Sequence, residues 1–187
     1  MKLSFPNCAT KEEKKVFSSL PCLGEISDKD FPYNDPNIEP KSELRFCTRI
    51  FLINDDKICV EYSRKYGYIQ ILGGHIEDGE SLEQATRRET IEESGYEIDE
   101  LKPIGYFIEN GITKRHISFI YIAKPGKRVG TDYDEDEIEC EFEPKWYSVN
   151  DAMRILAVAD KEIIKSYNGR FATKRDLITI KYIKKIL

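Results

Sequence analysis

Two rhythms of apolar positions divide this chain. From Leu44 onward the first prevails, in short β-rich runs broken by turn residues. Residues 46–53 form such a run, interrupted only by Thr48 and Arg49, and residues 58–62 form a second. Asn54-Asp55-Asp56-Lys57 lies between them, so a β-hairpin is predicted. A short strand follows over 68–71, and two more over 103–109 and 116–123, joined around Asn110-Gly111. Over 138–142 the alternation is strict. Ile138, Cys140 and Phe142 face one way and Glu139, Glu141 and Glu143 the other, which predicts a strand prolonged by Trp146-Tyr147. The second rhythm is helical. Asn150 is placed to cap a helix over 151–158. Leu177, Ile180, Ile183 and Leu187 recur at near-helical spacing, with Thr173 as the cap.

The segment 81–94 carries the clearest helix signals. Ser81 and Gln84 make a capping box, and Gly95 stands where a left-handed residue ends a helix. With Leu82 at zero and roughly 100° per residue, Glu89 falls near 340°, Glu93 near 20° and Glu92 near 280°. Leu82 and Ala85 share that arc. A run of acids normally forms a solvated helix face, which should lie opposite the apolar stripe. Here the acids lie on the stripe. Carboxylates turned inward repel one another and resist desolvation, so they need a cation to stay ionised. Before the helix, Gly73-Gly74 and Asp78-Gly79 mark a loop able to approach a ligand closely.

The composition sets the broad class. Of 187 residues 40% are hydrophobic and 34% charged, which fits one globular domain with an appendage. A net charge of −5 argues against general nucleic-acid affinity. Cys8, Cys22, Cys47, Cys59 and Cys140 are scattered and form no CxxC pair, so neither a zinc site nor a disulfide framework is expected and a reducing cytosol fits best. The first residues lack a signal-peptide core and no run reaches membrane-spanning length, so a cytoplasmic protein without membrane contact is expected.

The ends differ from the middle. Residues 1–43 hold five of the eight prolines and read as irregular: a short helix over 12–19, then an extended arm. The arm's open roles are lining a substrate pocket, contacting a dimer partner, or silent packing. Residues 161–187 carry eight bases against two acids, which reads as an amphipathic helix docked on the domain with a wet basic face, or as a contact for phosphate-rich substrate or RNA. Residues 132–143 carry eight acids and no base, and read mostly as solvated loop and strand face.

Residues 74–95, GHIEDGESLEQATRRETIEESG, resemble the Nudix box, the signature of MutT-like Nudix hydrolases. Gly74, Glu80, Arg88, Glu89, Glu92, Glu93 and Gly95 fill its invariant places. Thr90 and Tyr96 occupy two apolar places, and Leu72 stands where many members have proline. The resemblance implies a Nudix-type α/β/α sandwich with a mixed sheet, spanning roughly 45–157 of the 187 residues. It divides the chain into a proline-rich N-terminal arm (1–43), a Nudix hydrolase domain (44–158) and a helical, basic C-terminal extension (159–187).

It also implies roles. Glu92 and Glu93 would be principal metal ligands, with the Gly74 carbonyl as a backbone ligand. Glu89 would be a ligand or the general base, with Arg88 orienting it, and Glu80 a looser ligand or a brace. Glu139 or Glu141 would be candidates for an additional acid that members supply from that region. Such carboxylate clusters suit Mg²⁺ or Mn²⁺, which bridge to phosphate oxygens and act as Lewis acids toward phosphorus. The implied activity is hydrolysis of the pyrophosphate linkage in a nucleoside diphosphate linked to another moiety. The alternatives are an RNA 5′-end pyrophosphohydrolase, with RNA the less favoured partner, a non-enzymatic nucleotide sensor, and an isoprenoid diphosphate isomerase, which would require a further active-site cysteine. A homodimer is also open. His75 reads as loop or substrate rim. Tyr66, Tyr68, Tyr106, Phe107 and Phe119 either stack a base or belong to the core.

Overall fold

The computed structural model describes residues 3–31, 43–113, 115–161 and 167–187. Its strands are β1 (Cys22–Ser27), β2 (Leu44–Asn54), β3 (Lys57–Ser63), β4 (Tyr68–Ile71), β5 (Tyr96–Asn110), β6 (Arg115–Arg128) and β7 (Phe142–Ser148). The helices are α1 (Lys11–Ser19), α2 (Leu82–Ser94), α3 (Glu135–Glu139), α4 (Val149–Lys161) and α5 (Tyr167–Ile186). All seven strands join one mixed sheet in the order β1-β5-β6-β2-β3-β4, with β7 on the other edge of β3. The hairpin predicted around Asn54 forms, with Asn54 opposite Lys57 and Leu52 opposite Cys59.

Alternation along β2 sorts the layers. Ile50 and Leu52 pack with Cys59, Leu72 and Ile98, next to a cluster in which Leu82 of α2 and Phe17 of α1 meet Phe119 and Tyr121. Phe51 and Ile53 point the other way, toward Ala152 and Leu156 of α4 and Phe171, Leu177, Ile180 and Ile183 of α5. The result is the expected α/β/α sandwich. Phe107 and Phe119 are fully buried, so those two aromatics belong to the core.

The parallel pairing of β2 with β6 runs from Leu44 opposite Arg115 to Leu52 opposite Ala123. On its other side β2 meets β3 only near the hairpin turn. Its earlier part is bridged instead by the chain leaving β4, Ile50 to Leu72 and Cys47 to His75. That divergence suspends the glycine loop beside the start of β2.

Four expectations are corrected. The strand over 138–142 is absent: α3 ends at Glu139, Ile138 is 64% exposed, and β7 starts at Phe142. Asp134 and Glu137 bond each other's backbone amides reciprocally, at 2.8 and 2.7 Å, and this capping box outweighs a five-residue alternation. Asn150 lies inside α4; the cap is Ser148, whose hydroxyl accepts the Asp151 N–H at 3.1 Å. Thr173 is buried within α5 rather than capping it. The predicted short helix forms as α1, capped by a full box of Thr10 and Glu13, but the stretch after it is less irregular than expected, because β1 pairs in parallel with β5. The rest of the predicted arm, 32–42, lies outside the described residues.

The C-terminal helix docks as expected through Leu177, Ile180 and Ile183, but its charges do not all face water. Arg175 is fully buried, with Nε donating to Asp176 at 2.8 Å and Nη1 to Glu109 at 3.3 Å. Asp176 in turn accepts the Ile71 N–H at 3.0 Å, which ties α5 to the strand feeding the glycine loop. Removing one member of a buried ion pair leaves the other desolvated and uncompensated. Arg175→Met is therefore expected to destabilise the fold by roughly 3 kcal/mol, read from chemical denaturation; a loss below about 1 kcal/mol, the scale of a surface pair, would contradict it.

Candidate active site

Helix α2 is built by local rules. Ser81 Oγ accepts the Gln84 N–H at 3.2 Å while the Gln84 side chain accepts the Ser81 N–H at 2.8 Å. Gly95 closes it at φ 75°, a conformation that glycine adopts without the Cβ penalty. Between these ends the phase of the acids is as predicted. Leu82 and Ala85 are fully buried, and Glu89 and Glu93 on the same face are only 7% and 3% exposed. Glu92, at the edge of that face, retains 31% of its side-chain exposure.

Arg88 organises the rim. Its guanidinium grips Glu80 through two bonds of 2.7 and 3.0 Å, and Nη1 donates to Glu89 at 2.9 Å and Glu92 at 2.8 Å. Nη2 also donates to the His75 carbonyl at 3.0 Å, so the same side chain fastens the loop. Glu80 is thereby tied to Arg88, whose guanidinium holds its carboxyl below the ordinary range.

The loop supplies the other contacts. Gly73 N–H donates to Glu93 Oε2 at 2.5 Å. The Gly74 carbonyl accepts the Thr48 N–H at 3.0 Å, fixing the loop to β2. A Cβ at Gly74 would sit 2.5 Å from a Glu89 carboxylate oxygen, so this place requires glycine while Glu89 lies against the loop.

Two further acids complete the cluster. Glu61, fully buried on β3, and Glu137 of α3 bring carboxylate oxygens within 4.8 Å of one another and of Glu93. The acid-rich region thus delivers Glu137. Glu139 pairs instead with Lys65 at 3.0 Å, and Glu141 with Arg64 at 3.9 Å. Glu61 was missed by the sequence reading, yet it carried a signal. It stands two residues after the core residue Cys59, on the same strand face, where an acid is out of place.

The electrostatics are those of a cation site. Burial pushes Glu61 up to about 7 and Glu89 up to about 7, the latter despite Arg88. Glu93 is raised well above the ordinary carboxylate range, by burial first and then by Glu61 and Glu89. Arg49 adds positive charge near all three, and its buried Nε has no hydrogen-bond partner among the described residues. An oxygen-only cluster with this charge fits a hard divalent cation and offers nothing to a thiophilic one.

Comparison with known proteins agrees. The NUDIX domain family matches residues 43–167, and the chain belongs to the Nudix family. An oxidized purine nucleoside triphosphate hydrolase of Danio rerio is 32% identical over 78 residues, which are 42% of this chain and 47% of that protein. Nudix hydrolase 19, chloroplastic, of Arabidopsis thaliana is 33% identical over 96 residues, 48% of this chain and 20% of that protein. The chain thus spans half or less of the length of these curated relatives. Among solved structures, an ADP compounds hydrolase superposes with a TM-score of 0.53 at 17% identity, covering 79% of this chain and 76% of that one. A MutT protein from Bacillus halodurans gives 0.50 at 21% identity, covering 65% and 80%. At these identities the structures bear on the fold alone. No helix among the described residues is long and apolar enough to cross a membrane.

Proposed function

We propose that this chain hydrolyses the pyrophosphate linkage of a nucleoside diphosphate derivative, using Mg²⁺ or Mn²⁺ held by Glu89, Glu92 and Glu93 with the Gly74 carbonyl. Glu61 and Glu137 extend the donor set. The observation that carries the reading is the burial of Glu89 and Glu93 against a glycine loop, with the buried Glu61 beside Glu93 and oxygen as the only donor type. The bound cation would supply Lewis acidity toward phosphorus and offset the repulsion between carboxylates and diphosphate.

The remaining work falls to the protein. Arg88 fixes the Glu89 and Glu92 carboxylates relative to the loop, and preorganisation of this kind avoids rearrangement during reaction. Arg49, whose charge acts on the acids and whose Nε–H has no partner among the described residues, would donate to a phosphate oxygen of the substrate. Glu89 either binds the cation or takes the proton of the attacking water. Glu89→Gln separates these: weakened Mn²⁺ binding by calorimetry assigns it as a ligand, and unchanged binding with lost turnover assigns it as the base.

The substrate class is open to a direct test. A panel of ADP-linked compounds, nucleoside triphosphates including oxidised purines, and capped RNA, assayed with each metal, should show turnover concentrated on one small nucleotide class. RNA is disfavoured because Arg175 is buried and Lys174 is paired with Asp160 at 3.1 Å, which removes two cations from the basic tail. Preferential, steeply salt-dependent turnover of RNA would overturn that part of the reading.

A further inference from the structure

Cys47, His75 and His116 come from three distant stretches of sequence, and one donor atom from each lies within 4.8 Å of the other two. Cys47 is buried on β2, His116 stands on β6, and His75 is exposed at the end of the glycine loop, bridged to Cys47 across the backbone. Cys47 Sγ is 3.6 Å from His116 Nδ1. In a tetrahedral zinc site, bonds of about 2.3 Å to sulfur and about 2.0 Å to nitrogen separate the two ligand atoms by about 3.6 Å. The two imidazoles meet edge to face, with centroids 5.2 Å apart. Glu109 Oε2 lies 4.0 Å from His116 Nδ1, and Arg175 holds that carboxylate in place.

We propose that Cys47, His75 and His116 form a second metal site, for a thiophilic divalent cation of the Zn²⁺ class, distinct from the oxygen-only acid cluster. A thiol–imidazole hydrogen bond would account for Cys47 and His116 alone. The third donor, brought in by the loop, makes the set a ligand triad. Sulfur and imidazole donors select Zn²⁺ or Co²⁺ over Mg²⁺, so the two centres discriminate between cations by chemistry. His75 follows Gly74 directly, and occupancy pins the exit of the glycine loop to β2 and β6. A structural zinc site contributes to folding stability in this manner.

The test titrates Co²⁺ into the full chain in excess Mg²⁺, which keeps the acid cluster filled. The expected result is one equivalent bound with a thiolate-to-cobalt charge-transfer band, together with a rise in melting temperature on adding one equivalent of Zn²⁺. Cys47→Ser should lose the band. Its affinity should fall by at least about tenfold, the scale lost when even an outer-shell partner is removed. His75→Gln, at an exposed position that leaves the core intact, should weaken binding similarly and so guards against a folding artefact in the buried variant. Absence of the band in the wild type, or Co²⁺ affinity unchanged in either variant, would overturn the proposal.

Discussion

Glu92→Gln is expected to lower metal-dependent turnover by at least about 10³-fold, equivalent to about 4 kcal/mol of transition-state stabilisation. The change keeps the side chain's shape and an oxygen to accept from Arg88, but removes the negative charge. Glu92 is the most exposed of the three helix acids, so its loss should cost the fold little. Loss of activity with an unchanged melting temperature would assign the defect to chemistry. Full turnover in this variant would remove the basis for a metal-dependent Nudix reaction at this site.

The second large effect is on stability and concerns pH. Glu61 and Glu89 each titrate at about 7 in the folded chain, above the ordinary 4.5. Below the ordinary value both states hold their protons and the stabilisation is complete. As pH rises from there toward 7, the unfolded chain releases protons that the folded chain retains, so stability is lost. A shift of this size is worth about 3 kcal/mol per group, and the two together span roughly 5 kcal/mol when their coupling is allowed for. Chelated protein should therefore lose stability between pH 5 and pH 8, and Glu61→Gln should lose less. Saturating Mg²⁺ should restore the wild type at pH 8 while leaving pH 5 nearly unchanged. A chelated protein equally stable at both values would mean that burial does not penalise the ionised form of these carboxylates.

What could be read in advance depended on whether the determinants were local. The Ser81–Gln84 box, the Gly95 stop and the helical phase of Glu89 and Glu93 all lie within one short segment, and all appear as predicted. The Asn54 turn set the hairpin for the same reason. Alternation misled over 138–142, where the reciprocal bonds of Asp134 and Glu137 decided the structure; that capping pattern was also present in the sequence. Glu61 and Glu137 join Glu93 from other elements, and Arg175 reaches from α5 to Glu109 on β5. Such partnerships depend on packing that no window of sequence contains, so a basic tail read as wet turned out to contain a buried cation.

The anchoring of the last helix bears on how chains of this family are trimmed or recombined. The family match stops at residue 167, where α5 begins. Yet Asp176 holds the Ile71 amide next to the glycine loop, and Arg175 neutralises Glu109 inside the sandwich. Cutting the polypeptide where the family match ends would strip a keystone from the candidate site. The smallest unit that keeps the glycine loop anchored therefore includes α5, and exchanging that helix for another would change how the loop is supported.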